Sequence, residues 1–240
     1  MSELPKLTVV IPAAGIGKRM QANQAKQYLI LKGKTILQHT VERFIDLPYV
    51  DTIVVAIANN DSKFSDLDIA NHSKVTTVFG GKERADSVLQ GLSVAQTNGS
   101  EWVMVHDAAR PCVTQSDIDN LYRQCLTQNS AGILASPVRD TMKKAKLVTD
   151  SSTIAETIDR TDMWHALTPQ CAKTSELKGA IESQLDANGL VNKQITDEAS
   201  ALELANKPVL LVTGSVKNIK ITMPEDLELA EFYLTSENKN

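Results

Sequence analysis

At 240 residues and 42% hydrophobic content, the chain is long enough to bury a full core without disulfide or metal staples. Charged residues make up 22% and the formal net charge is −4, which excludes a protein that holds nucleic acid by bulk positive charge; any phosphate binding must be local. Three widely separated cysteines, Cys112, Cys125 and Cys171, spell neither a disulfide framework nor a CxxC metal site, and the N-terminal apolar run is too short to span a bilayer and enters a glycine turn, so the expectation is a cytoplasmic protein with no membrane partner.

The first predicted element is a strand at Val9, Val10 and Ile11, β-branched as in a strand covered on both faces and ended by Pro12. It breaks into Ala13-Ala14-Gly15-Ile16-Gly17-Lys18-Arg19. Gly15 and Gly17 can take positive φ and let a bound group approach the backbone, leaving N–H groups free for phosphate oxygens, with Lys18 and Arg19 adding charge. The pattern is neither a Walker loop nor GxGxxG, because position 20 is Met, and by itself it equally describes an ordinary tight strand-to-helix turn. Asn23 to Lys34 reads as a polar loop with a short strand around Tyr28 to Leu31. Within it Lys26 reads either as a solvated lysine or as an ammonium reaching a triphosphate beside a clamping Arg19.

Ile36, Leu37, Thr40, Val41, Phe44 and Ile45 recur at helical spacing up to Pro48. Thr52–Ala58 and Val75–Phe79 read as strands joined by a polar helical link, and Gly80-Gly81 punctuates the second. Ala85, Val88, Leu89, Leu92 and Ala95 mark a helix with Ser87 in its first turn, near the ligand edge. Trp102–His106 is a further strand running into Asp107-Ala108-Ala109-Arg110-Pro111. There Asp107 could hold Mg²⁺ or sugar hydroxyls and Arg110 an anion, unless the pair is an N-cap and a surface arginine. His106 ends an apolar strand and reads as a structural histidine rather than a base; His39, His72 and His165 make no metal spacing with it.

A helix at Ile118, Leu121, Tyr122 and Cys125 and a strand at Ala131–Pro137 complete an alternation that predicts a doubly wound, mostly parallel sheet with right-handed crossovers and all strand C-termini at one edge. The rhythm fails from Val138 to Arg160, a polar stretch read as a protruding hairpin arm. Two helices follow, around Leu177 to Leu185 and Ala199 to Ala205. Thr196 is the expected N-cap of the second, with Asp197 and Glu198 favourable at the dipole. Pro208–Val212 and Ile219–Ile221 read as closing strands, with Lys220 facing opposite to its two isoleucine neighbours. Thr222 to Glu225 has capping-box spacing for a last helix running to about Leu234, and the tail after Ser236 is expected to fray.

In order, the segments PAAGIGKRM, AKQYL, GGKERADSVLQGL, VHDAARP, PVRDTMK, WHALTPQ, ITDEASALE and NIKITMPEDLELAE resemble the 2-C-methyl-D-erythritol 4-phosphate cytidylyltransferase family of the non-mevalonate isoprenoid pathway. The resemblance runs from about Leu7 to Leu234. It implies an α/β, Rossmann-like nucleotidyltransferase domain over residues 1–240, with a dimerisation arm at about 138–160. The implied reaction joins CTP and methylerythritol phosphate into 4-diphosphocytidyl-2-C-methyl-D-erythritol and pyrophosphate, with Mg²⁺ as cofactor.

By the same resemblance Arg19, Lys26 and Lys220 are catalytic at the α-phosphate. Ala13, Ala14, Gly15, Gly17, Gly81, Ser87 and Asp107 are on the nucleotide side. Asp107, Arg110, Thr141, Arg160 and Thr168 are on the acceptor side, with Arg160 reaching the site of a partner subunit in a homodimer; no nucleic acid partner is implied. The metal is expected mainly on triphosphate oxygens, with no protein ligand assigned. Two positions depart from the family pattern: Ala25 stands where proline usual in the family would preset the Lys26 loop, and Cys171-Ala172 follows TPQ where the family carries any residue and then an aromatic. The rivals are a cytidylyltransferase for another sugar-alcohol phosphate such as ribitol 5-phosphate, distinguished by the arm with Thr141 and Arg160, and a non-catalytic nucleotide sensor on the same fold.

Overall fold

A computed structural model describes residues 4–15, 25–148, 151–187 and 189–237. Its frame is a seven-stranded sheet. In chain order the strands are β1 (Leu7–Pro12), β4 (Val50–Ile57), β5 (Val75–Phe79), β6 (Trp102–Val105), β7 (Ala131–Pro137), β10 (Trp164–Lys173) and β11 (Val209–Thr213). Their spatial order is β11-β7-β10-β6-β1-β4-β5. β1 pairs in parallel with β4 and β6, β4 with β5, and β7 with β11.

Why the sheet is covered on both faces can be read along β1. Val9 and Ile11 point into one apolar cluster with Leu37, Val41 and Phe44 of α1 (Ile36–Ile45) and Ile118, Leu121 and Tyr122 of α3 (Gln115–Gln128). Val10 points the other way, against Val88 and Leu92 of α2 (Arg84–Thr97), Leu177 and Ile181 of α4 (Thr174–Glu182) and Leu202 of α5 (Glu198–Leu204). This is the two-residue side-chain period of a strand buried on both sides. Gly91 sets how closely α2 approaches: a Cβ there would lie 2.3 Å from Val10 Cγ1. A smaller cluster docks α6 (Glu225–Glu237) through Ala230 and Leu234 onto Ile221, Ala109 and Cys112. It takes in Leu31 of the small hairpin β2 (Ile30–Leu31) and β3 (Lys34–Thr35).

Several expectations are corrected. β10 runs antiparallel to both β6 and β7, so not every strand ends at one edge; the WHALTPQ segment enters the sheet from the edge where its neighbours leave it. Ile219–Ile221 is not a sheet strand: Ile221 N–H donates to Ala109 O at 2.9 Å, so the segment is fastened to the turn after β6 instead of a ladder. The alternation read there still holds, since Ile221 is fully buried while Lys220 is partly exposed. The link between β4 and β5 is made of two short 3-10 turns, Phe64–Asp66 and Asp68–Asn71. The N-cap of α5 is Asp197, not Thr196, and Asp197 Oδ1 accepts from Ser200 N at 2.9 Å because a carboxylate reaches the third amide directly. Ahead of α6 the reach-back comes from Asp226, whose Oδ2 accepts from Thr222 N at 2.7 Å and Met223 N at 2.8 Å, and not from Glu225.

The arm is a two-stranded antiparallel ribbon of β8 (Met142–Val148) and β9 (Ser151–Ile158), separate from the main sheet. Most of its described side chains are exposed, including Ile154.

Candidate active site

A cavity of about 350 Å³ opens at the C-terminal ends of β1 and β6, the edge at which parallel sheets place ligands. One wall is Ala14 and Gly15 after β1, with Gly81 and Ser87 at the start of α2; the other carries Lys26, Asp107 and Lys220. Gly15 is outside the left-handed region, and among the described residues a Cβ on it would meet no atom within 4 Å. Gly81 is different. A Cβ there would lie 2.2 Å from Asp86 Cβ, and its N–H donates to Ser87 Oγ at 3.2 Å, so the turn lies tight on the first turn of α2.

Lys26 sits in a 3-10 turn, Lys26–Tyr28, between β1 and the small hairpin. Its Nζ donates to Ile221 O at 3.2 Å, which brings it beside the segment carrying Lys220. The neighbouring Gln27 is buried and donates through Nε2 to Ala13 O at 2.5 Å, tying this turn to the one after β1.

Asp107 is the hub. Oδ1 accepts from Arg84 Nε at 3.1 Å, and Oδ2 accepts from Lys220 Nζ at 2.9 Å and Arg110 Nε at 3.4 Å. Burial would raise its carboxyl, but Arg84, then Lys220 and Arg110, overcome this and hold it well below the usual carboxylate range. Behind it, Asp107 N–H donates to Thr168 Oγ1 at 3.1 Å, and Thr168 Oγ1 lies 3.1 Å from His106 Nδ1. Asn218 closes the rear of the site: its carbonyl accepts from Arg110 Nη1 at 2.7 Å, and its Nδ2 donates to Thr168 O at 2.7 Å.

The structure therefore sorts the expected residues into groups. Ala14, Gly15, Lys26, Gly81, Ser87, Asp107 and Lys220 line one cavity. Ala13, Arg110 and Thr168 lie buried around it; Ala13 N–H donates to Ala56 O at 2.8 Å, so this residue anchors the turn. Thr141, just before β8, and Arg160, two residues after β9, are exposed on the arm and do not line the cavity. Gly17 and Arg19 lie outside the described residues.

A model of the 2-C-methyl-D-erythritol 4-phosphate cytidylyltransferase family matches residues 7–236. The chain belongs to that family. The protein of this name from Colwellia psychrerythraea is 51% identical, with 100% of this chain and 99% of its own length covered. That from Aliivibrio fischeri strain MJ11 is 53% identical over 97% of this chain and 95% of its length. Among solved structures, the Francisella tularensis 2-C-methyl-D-erythritol 4-phosphate cytidylyltransferase is 40% identical with a TM-score of 0.79, covering 95% of this chain and 99% of its own. A 4-diphosphocytidyl-2C-methyl-D-erythritol synthase is 32% identical with a TM-score of 0.81, over 97% and 100%.

In this member of the 2-C-methyl-D-erythritol 4-phosphate cytidylyltransferase family, the cavity also contains Arg84, a residue that sequence reasoning missed. Its guanidinium forks onto Glu198, with Nη1 to Oε1 at 2.6 Å and Nη2 to Oε2 at 3.0 Å, while Nε holds Asp107. In the sequence Glu198 reads only as a favourable charge at a helix dipole. The signal that could have found Arg84 is its place in the first turn of α2, one turn before Ser87 and thus at the same sheet edge.

Proposed function

We propose that this protein transfers the cytidylyl group of CTP to 2-C-methyl-D-erythritol 4-phosphate, releasing pyrophosphate, with Mg²⁺ as cofactor and with a homodimer formed through the arm. The observation that carries the reading is the convergence on one cavity of Ala14 and Gly15, at the end of β1, with two lysines, Lys26 and Lys220, on a chain whose family is established. The acceptor phosphate is already ionised. One of its oxygens attacks the α-phosphorus of CTP, a new P–O bond forms, and the bond to the pyrophosphate oxygen breaks with its electron pair leaving on pyrophosphate.

No proton has to be removed, so the rate must come from alignment and from neutralising charge as it gathers on the α-phosphate. Lys26 and Lys220 supply positive charge to that centre, and Arg19 is assigned with them. His106 is buried behind Asp107 with both ring nitrogens engaged, which suits a reaction without a general base. Gly15, Gly81 and Ser87 are proposed to take the nucleotide, and Asp107, Arg110 and Thr168 to organise the acceptor side, with Thr141 and a partner subunit's copy of the arm residue Arg160 completing it.

When bound with the nucleotide, Mg²⁺ would supply neutralisation of the charge that gathers on the leaving pyrophosphate. Among the described residues no group of three or more His, Cys, Asp or Glu could hold a metal ion, and Asp107 is committed to three cations, a donor set that fits an ion held mainly by the nucleotide. Among the same residues no helix is long and apolar enough to cross a membrane; the site of action we propose is the cytoplasm.

The test is pyrophosphate release with CTP and Mg²⁺, offering methylerythritol phosphate and ribitol 5-phosphate separately. Release is expected with the first and far less with the second. No release with methylerythritol phosphate would overturn the assignment, and preference for the ribitol ester would move it to the sibling activity.

A further inference from the structure

The two carboxylates and three cations at the back of the cavity form one chain of contacts, of which only part faces the cavity. Glu198, at the first position of α5, is buried and lies outside the cavity lining; it faces a neighbouring hollow of about 470 Å³ on the far side of Arg84. Arg84 stands between the two hollows and lines both. We infer that Glu198 and Arg84 are positioning residues for the transfer reaction: Glu198 fixes the plane of the Arg84 guanidinium, and Arg84 in turn fixes the Asp107 carboxylate so that Oδ2 meets Lys220. The inference rests on the cytidylyltransferase reading above.

The geometry carries this in two steps. A guanidinium held at both terminal nitrogens by one carboxylate, at 2.6 and 3.0 Å, has no remaining freedom to rotate about its long axis. Its Nε is therefore aimed, and what it is aimed at is Asp107 Oδ1 at 3.1 Å. With Oδ1 pinned on that side, Oδ2 is presented to Lys220 at 2.9 Å and to Arg110 at 3.4 Å. Lys220 has the most exposed side chain of these groups, 42% against 28% for Arg84 and 3% for Glu198, so order passes outward from the buried end.

Arg84 borders the cavity, and a guanidinium released from Glu198 could swing in and bind a substrate phosphate in a geometry that does not help transfer. Glu198 thus also holds the Arg84 guanidinium, which lines the cavity, in one orientation. This gives the ITDEASALE segment a task that helix capping alone does not, because Asp197 performs the capping through Ser200.

The experiment is steady-state pyrophosphate release by full-length Glu198→Gln, Asp107→Asn and the double variant, with CTP affinity measured separately by calorimetry. Glu198→Gln is expected to lower kcat by about 10- to 100-fold, the range seen when a group that orients an active-site residue is removed, with CTP affinity within about threefold of wild type. Because Glu198 acts through Asp107, the double variant should be no slower than Asp107→Asn alone. An unchanged kcat in Glu198→Gln, or effects that multiply in the double variant, would overturn the inference. If Glu198→Gln does not fold, the paired replacement Arg84→Met/Glu198→Met leaves no unpaired charge in place of the buried salt bridge and carries the same comparison: folded but slow supports positioning, folded with wild-type kcat overturns it. Wild-type protein that releases no pyrophosphate would instead overturn the cytidylyltransferase reading.

Discussion

The imidazole of His106 is held on both edges, by Arg110 O at 3.0 Å from Nε2 and Thr168 Oγ1 at 3.1 Å from Nδ1. A carbonyl can only accept, so Nε2 carries the proton; Thr168 Oγ1 accepts the Asp107 N–H and has its own proton free to turn toward Nδ1. The network fits a neutral ring, and burial pushes its pKa down to about 4 from the usual 6.5. A depressed histidine means that the unfolded chain binds a proton at a pH where the folded one does not. Stability from this residue is therefore full above pH 6.5 and lost as pH falls from there toward 4, by an amount reaching about 3 kcal/mol. Denaturant melts of wild type and His106→Asn across that range should show the gap between them narrowing by roughly this amount toward the acid end; a gap independent of pH would contradict the neutral assignment. The histidine's structural role was legible from its place at the end of an apolar strand. Arg84 and Glu198 were not legible, because a salt bridge between residues 114 positions apart leaves no local pattern.

At the scale of elements, the turn that carries Lys26 is the informative case. Ala25 precedes it at φ −60° and ψ 133°, a conformation proline adopts without strain, and its carbonyl accepts from Tyr28 N at 3.0 Å, a bond proline would keep. Ala25→Pro should therefore raise unfolding stability by about 0.4–1 kcal/mol through the unfolded chain, with turnover retained. Urea unfolding alongside an activity assay checks this, and a loss of stability would mean that the turn needs a backbone proline cannot supply. The other departure, Cys171-Ala172, is absorbed in the core, where Ala172 packs with Val103, Val105 and Leu177. Helix α1 was legible nearly to the residue, because its apolar stripe begins at the Thr35 capping box. Strand β10 was not, since its polar residues His165, Thr168 and Gln170 and its proline, Pro169, break any apolar run that would mark a strand. Nor was the fastening of Ile221 to Ala109, which imitates a strand's alternation without a ladder.

For the whole molecule, the parallel sheet puts the ends of β1 and β6 and the start of α2 at one edge, an arrangement that the alternation of strands and helices implies by itself. The arm was legible for the opposite reason, its lack of core-forming residues, and Thr141 and Arg160 lie on it away from the cavity of their own chain. In the proposed homodimer Arg160 serves the partner's acceptor site, so Arg160→Ala should raise KM for methylerythritol phosphate about 10-fold or more while leaving that for CTP nearly unchanged, the expected cost of removing one guanidinium from a bound phosphate. An unchanged acceptor KM in initial-rate assays would count against the arm reaching any site. Positioned cations, with no base, are proposed to drive attack at the α-phosphorus, so the decisive measurement is on Lys26→Ala, comparing single-turnover rates at saturating substrates with CTP affinity from calorimetry. The expected result is a rate about 100-fold lower or more with CTP binding largely kept; weakened CTP binding with the saturated rate intact would make Lys26 a ground-state contact only.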